Sequence, residues 1–170
     1  MHKHLTTFTG SLMKKVTHFG AVLMTVVALF INTTFAQTPS EDVEPYAIFT
    51  LNPTLSVLSK NKARMLYRGK IKRLQGNRIE LSDWPSHHNV RGKFYLSLLG
   101  KDHAQMNAHW ASLSFSGKAR PPKEIKEINH DAIQALITWL NAKKTRIGYA
   151  PLNAIPENAN VLCVVKRDKV

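Results

Sequence analysis

The chain has 170 residues, with 24 lysines and arginines against 11 acids and a formal net charge of +13. Its single cysteine, Cys163, excludes an intrachain disulfide. A charge of this size draws anions; no aromatic-interleaved basic motif accompanies it, which argues against nucleic acid as the partner.

Lys3, Lys14 and Lys15 precede an apolar run from Ala21 to Ile31, and no acid appears before Glu41. A charged segment followed by an apolar one is the form of a secretory signal. Thr34-Phe35-Ala36 supplies small residues where signal peptidase needs them, so cleavage is expected after Ala36, from a start at Met1 or Met13. The run is shorter than the about 20 apolar residues that span a bilayer. Removal of residues 1–36 leaves 134 residues and 21 bases against 11 acids, enough for one domain with its own core and too few for two. The sequence therefore predicts a signal peptide over 1–36, a polar flexible leader over 37–45, and an exported domain over 46–170.

Tyr46 to Leu51 is rich in strand-forming residues and stops at Asn52-Pro53. Ser59 can cap a helix with Ala63, Leu66 and Tyr67 inward, and Gly69 can close it. Lys60, Lys62, Arg64, Arg68, Lys70, Lys72, Arg73 and Arg78 follow one another with no acid between them, a solvated face or a dock for an anionic partner. Gly76-Asn77 offers a turn, and Ile79 and Leu81 alternate with polar residues in a short strand ending near Asp83.

Val90, Phe94 and Leu98 predict a helix stopped by Gly100. Asp102 and Gln105 form a capping box ahead of Met106, Trp110 and Leu113. A further helix starts near Asn129 or Asp131 and turns Ile133, Leu136, Ile137 and Leu140 inward. Ile147 to Ala150 and Val161 to Val165 supply two more strands, with Cys163 as a buried small hydrophobe. Alternation of strand and helix predicts an α/β domain with a mixed or mostly parallel sheet flanked by helices.

In such sheets ligands collect beyond the carboxyl ends of strands, where helix starts present free N–H groups. Asp83 to Asn89 is such a loop: Ser86 and Asn89 can donate to an oxyanion, and Arg91 can neutralise it, or else Ser86 or Asn89 simply caps the helix. Phe115-Ser116-Gly117-Lys118 combines a hydroxyl, a close-approach glycine and an ammonium, the makings of an anion loop or of a plain turn. His87 and His88, with His103 or His109, lack the cluster of Cys or His that a metal needs, so no metal and no cofactor are expected. No G-x-S-x-G, H-E-x-x-H or paired carboxylates mark a catalyst, and the expected function is not enzymatic.

Phe49 to Pro53, Leu58 to Lys60, Met65 to Lys70, Arg91 to Tyr95, Trp110, Phe115 to Lys118 and Ile147 to Tyr149 resemble, in order, the second lobe of type 2 periplasmic solute-binding proteins, especially the phosphate-binding component of ABC uptake systems. The resemblance implies a single lobe of that fold. It also implies an anion site at Ser86, His88, Asn89 and Arg91 together with Ser116, Gly117 and Lys118, with a phosphate-like anion as ligand and an ABC permease or envelope sensor as partner. His87-His88-Asn89 departs from the family, replacing the small residues that let backbone amides wrap phosphate. The alternative is a non-catalytic envelope scaffold that uses its basic face and takes no small solute.

Overall fold

The computed structural model describes residues 44–126 and 131–167, all within the unit Asp42–Val170. The expected signal peptide, its cleavage site and the leader as far as residue 43 lie outside these residues. The central strand is β1 (Tyr46–Thr50), four largely apolar residues and a threonine, all five buried. Burial on both faces suits a continuous apolar strand with neighbours on each side. β1 lies antiparallel to both β6 (Arg146–Pro151) and β7 (Asn160–Val165). On the far side of β6, β4 (Glu80–Asp83) runs parallel to it and to the two-residue β5 (Lys123–Glu124), giving the sheet order β5-β4-β6-β1-β7. The sheet is mixed, as expected for this α/β chain. β5 is an element that residue patterning does not announce, because it is short, charged and exposed.

Four α-helices accompany the sheet among the described residues: α1 (Lys60–Tyr67), α2 (Asn89–Leu99), α3 (His103–Phe115) and α4 (Ala132–Asn141). Local chemistry sets their ends. The Ser59 side chain accepts from Lys62 N–H at the start of α1, and Asp102 and Gln105 form the reciprocal capping box of α3. Asp131 accepts from Gln134 N–H at α4. Gly100 ends α2 in the left-handed conformation, φ 66°.

Between α1 and β4 a hairpin pairs β2 (Arg73–Leu74) with β3 (Asn77–Arg78). Its turn falls one residue earlier than the sequence suggests. Gln75 and Gly76 both have positive φ, 47° and 79°, as a two-residue hairpin turn with the sheet's twist requires.

Tyr46, Tyr67, Phe94, Tyr95 and Tyr149 meet in the core. Phe94 and Tyr149 stack at 3.5 Å between ring centroids, and Tyr67 meets both rings edge-on. Such contacts contribute about 1 kcal/mol each beyond area burial. This packing joins β6 to α1 and α2 and fixes the carboxyl end of β4 between them.

Candidate functional site: a filled carboxylate and a cationic cavity

β4 ends at Asp83, whose carboxylate is buried. Oδ1 accepts from Trp84 N–H at 2.9 Å and from the Tyr149 hydroxyl. Oδ2 accepts from Arg91 Nε at 3.0 Å and from the Tyr95 hydroxyl at 2.9 Å. Trp84 Nε1 donates to Tyr149 O, closing the ring of contacts.

Burial pushes the Asp83 carboxyl up, and the Tyr149 hydroxyl, the Arg91 charge and the Tyr95 hydroxyl pull against it. Burial also works against the Arg91 charge, but Asp83 with Tyr95 and Tyr149 outweighs it and leaves the guanidinium raised. Four donors converge on two oxygens that need only accept, so the geometry fits the ionised pair. The phenols of Tyr95 and Tyr149 are held well above their ordinary range, by burial first and by Asp83 second.

This arrangement corrects the role expected of Arg91. Its guanidinium is buried at 6 % exposure, with Nε on Asp83 and NH1 at 3.2 Å from His103 Nδ1. It is a tie between β4, α2 and α3, neither solvated nor open to an oxyanion. His88, and not Ser86 or Asn89, caps α2: its Nδ1 accepts from Val90 N–H at 3.2 Å while its ring lies 4.6 Å from that of Trp84. Ser86 and Asn89 are exposed beside it.

The segment Ser116 to Lys118 is also differently employed. It ends α3 instead of starting a helix, and its amide groups turn back onto that helix. Ser116 N–H donates to Ser112 O, Gly117 N–H to Ser114 O, and Lys118 N–H to Leu113 O, while Ser116 Oγ bonds Ser112 O as well. Gly117, φ 66°, provides the left-handed residue that such a C-terminal cap requires. These donors are already engaged, and a helix carboxyl end repels anions.

The structure does not gather the seven expected residues in one recess. Ser86 to Arg91 follow the carboxyl end of β4. Gly117 instead lines a cavity of about 680 Å³ near the amino ends of β4 and β6, at Glu80 and Arg146. Five cationic side chains, those of Lys72, Arg78, Arg120, Lys123 and Arg146, line this cavity against the single carboxylate of Glu80. Glu80 is itself neutralised by Lys143 and by Arg146 Nε at 3.1 Å. Trp110 and Trp139 contribute aromatic wall.

Arg78 belongs to the basic run, whereas Arg120-Pro121-Pro122-Lys123 stands apart from it. Two bases bracketing two prolines, which fix the backbone and remove donors, were the available signal. Local patterning does not announce that Tyr95 and Tyr149 share the Asp83 carboxylate, because they lie 12 and 66 positions from it.

Among the described residues no three of His, Cys, Asp and Glu are grouped to hold a metal ion. His88, His103 and His109 each have separate contacts, with Val90 N–H, Arg91 and Arg68 O respectively. No helix of the described residues is long and apolar enough to cross a membrane.

No protein-family model matches the chain, and no curated protein matches it significantly. Among solved structures it is similar to a protein from Clostridium perfringens described as a phosphate ABC transporter substrate-binding protein, determined with bound phosphate. The two are 13 % identical, with a TM-score of 0.51 over 71 % of this chain and 46 % of the other. An ABC-type phosphate transport receptor from Vibrio cholerae gives 13 % identity and a TM-score of 0.49 over 71 % and 47 %. The chain thus spans under half the length of either protein. The first likeness shows the fold alone: an α/β arrangement, a mixed sheet flanked by helices, shared with part of that substrate-binding protein.

Proposed function

We propose that the protein is an exported, non-catalytic binding module of the solute-binding type, which recognises a phosphate-like or other anionic group and works with an ABC permease or an envelope sensor. The observation that carries this reading is the cavity at the amino ends of β4 and β6, where five cations accompany one carboxylate that Lys143 and one of the five, Arg146, already neutralise. A cationic recess with low-dielectric walls concentrates anions. The likeness in fold to the Clostridium perfringens protein, whose structure holds phosphate, agrees with it. Because Arg91 and the amides of Ser116 to Lys118 already have partners, the cavity is the better-supported place for an anion. Isothermal titration of the chain from Gln37 with phosphate, sulfate and organic phosphates tests the reading. Binding heat that R120E/K123E abolishes is expected, and no heat with any of these anions overturns it.

A second reading, the basic scaffold, draws on the exposure of Lys70, Lys72 and Arg73. Charge reversal at all three should then weaken capture of an envelope partner, and unchanged recovery would count against it.

A further inference from the structure

The cavity is larger than a bare oxyanion needs, and part of its lining is apolar. At about 680 Å³ it falls within the range of pockets that enclose drug-sized organic ligands, and a tetrahedral inorganic ion fills only a fraction of such a space. Leu66, Ile79, Trp110, Trp139, Pro121 and Pro122 are apolar residues of its lining. The two adjacent prolines present no backbone N–H, so this stretch cannot wrap an anion with amides.

The cations are not equivalent. Arg146 is held by Glu80, donates NH1 to Trp139 O at 2.8 Å and lies 4.5 Å from the centroid of the Trp139 ring. Lys72 Nζ donates to Lys118 O at 2.6 Å. The side chains of Arg78, Arg120 and Lys123 have no acidic partner among the described residues. Trp110, 5 % exposed, keeps its Nε1 buried with no hydrogen-bond partner, an arrangement that folded interiors seldom leave without a reason.

We infer that this cavity takes an organic anion, one whose flat aromatic or heteroaromatic body lies against apolar residues of the lining while its phosphate or similar group meets Arg78, Arg120 and Lys123. The inference rests on the anion-binding reading above and specifies the ligand class for the same site. The make-up of the lining carries it, since apolar and cationic side chains border the same cavity. Apolar surface adds affinity only for a ligand that has apolar surface of its own to bury, and unpartnered cations add it only for a ligand with negative charge.

The probes are phenyl phosphate, adenosine monophosphate, inorganic phosphate and the neutral arene benzyl alcohol, titrated into the chain from Gln37. Two of its three tryptophans line the cavity, so indole emission reports binding alongside calorimetry. Phenyl phosphate or adenosine monophosphate should change the emission saturably and bind at least tenfold more tightly than inorganic phosphate or benzyl alcohol. R120E/K123E, and separately R78E, should each weaken that binding at least tenfold. All three positions are exposed, so an unchanged thermal melt is expected.

Inorganic phosphate binding as tightly as phenyl phosphate would sink the inference and leave the anion-binding reading standing. Benzyl alcohol binding as tightly, or organic-anion binding indifferent to both charge-reversal variants, would also sink it. Silence from every anion would remove both.

Discussion

The ring of His103 lies directly over Gly92: a β-carbon added at Gly92 would come 2.3 Å from His103 Nε2 and 2.7 Å from its Cδ2. The first residue of α3 thereby packs against the second turn of α2, and His103 Nδ1 meets Arg91 NH1 from the same position. A glycine inside a helix ordinarily costs about 1 kcal/mol relative to alanine, so its presence here has a steric cause.

Gly92→Ala should therefore destabilise the chain by about 1–2 kcal/mol, as expected of overpacking offset in part by helix propensity. In a His103→Ala background the same change should have the opposite sign, stabilising by about 0.5–1 kcal/mol. Urea unfolding of the four proteins in this cycle measures the reversal, and an equal effect in both backgrounds would show that the ring is not the obstacle.

Asp83 should show a graded response. Asp83→Ala leaves Arg91 buried without its counter-charge and should cost about 3–5 kcal/mol. Tyr149→Phe removes one of four donors and should cost only about 1–1.5 kcal/mol. Denaturant midpoints at constant m-value give the comparison, and a loss for Tyr149→Phe as large as that for Asp83→Ala would mean that the carboxylate is not shared as described.

Glu80 gives a pH dependence with a defined sign. Hydrogen bonds from Lys143 and Arg146 hold its carboxyl below its ordinary 4.5. A carboxyl lowered by folding stabilises the folded chain above the ordinary value, and this contribution disappears as pH falls through the lowered one. The group is 38 % exposed, so screening keeps the effect to about 1 kcal/mol or less. Wild type should exceed Glu80→Gln in stability at pH 7, with the difference shrinking as pH falls below about 4.5 and in high salt. A difference that grows as pH falls contradicts the assignment.

Cys163 should be slow to react. Burial in β7 pushes its thiol up, and the Lys60 charge opposes this only in part. A thiol reagent at pH 8 should modify the native chain many times more slowly than the chain in urea, because the thiolate is the reacting form. Equal rates would place the thiol at the surface.

Features fixed by neighbours within four residues could be read from the sequence. Ser59, Asp102 with Gln105, and Asp131 cap the helices expected of them, and Gly100 stops α2, because capping depends on one side chain and the next turn. The broad α/β class followed from the same local patterns. What failed was non-local. Tyr149 and Asp83 meet across 66 positions, and nothing near Asp83 distinguishes a buried hub from an exposed loop residue. Ser116-Gly117-Lys118 has the composition of both an anion loop and a helix end, and only the direction of its amides, back toward Ser112, Leu113 and Ser114, separates them. β5 exists because Ser82 and Asp83 present a parallel edge to Lys123 and Glu124, a fact about the partner more than about its own residues.

The position of β1 governs the order in which the chain can mature. Both of its neighbours, β6 and β7, arrive near the carboxyl end, and Thr50 Oγ1 waits for a carbonyl 96 positions away at Arg146. Pairings so distant close late and slow the search for the native state. Until residue 165 is free to dock, Tyr46 to Thr50 is an open apolar edge, so a nascent or truncated polypeptide carries a self-adhesive segment that the finished molecule hides at its centre.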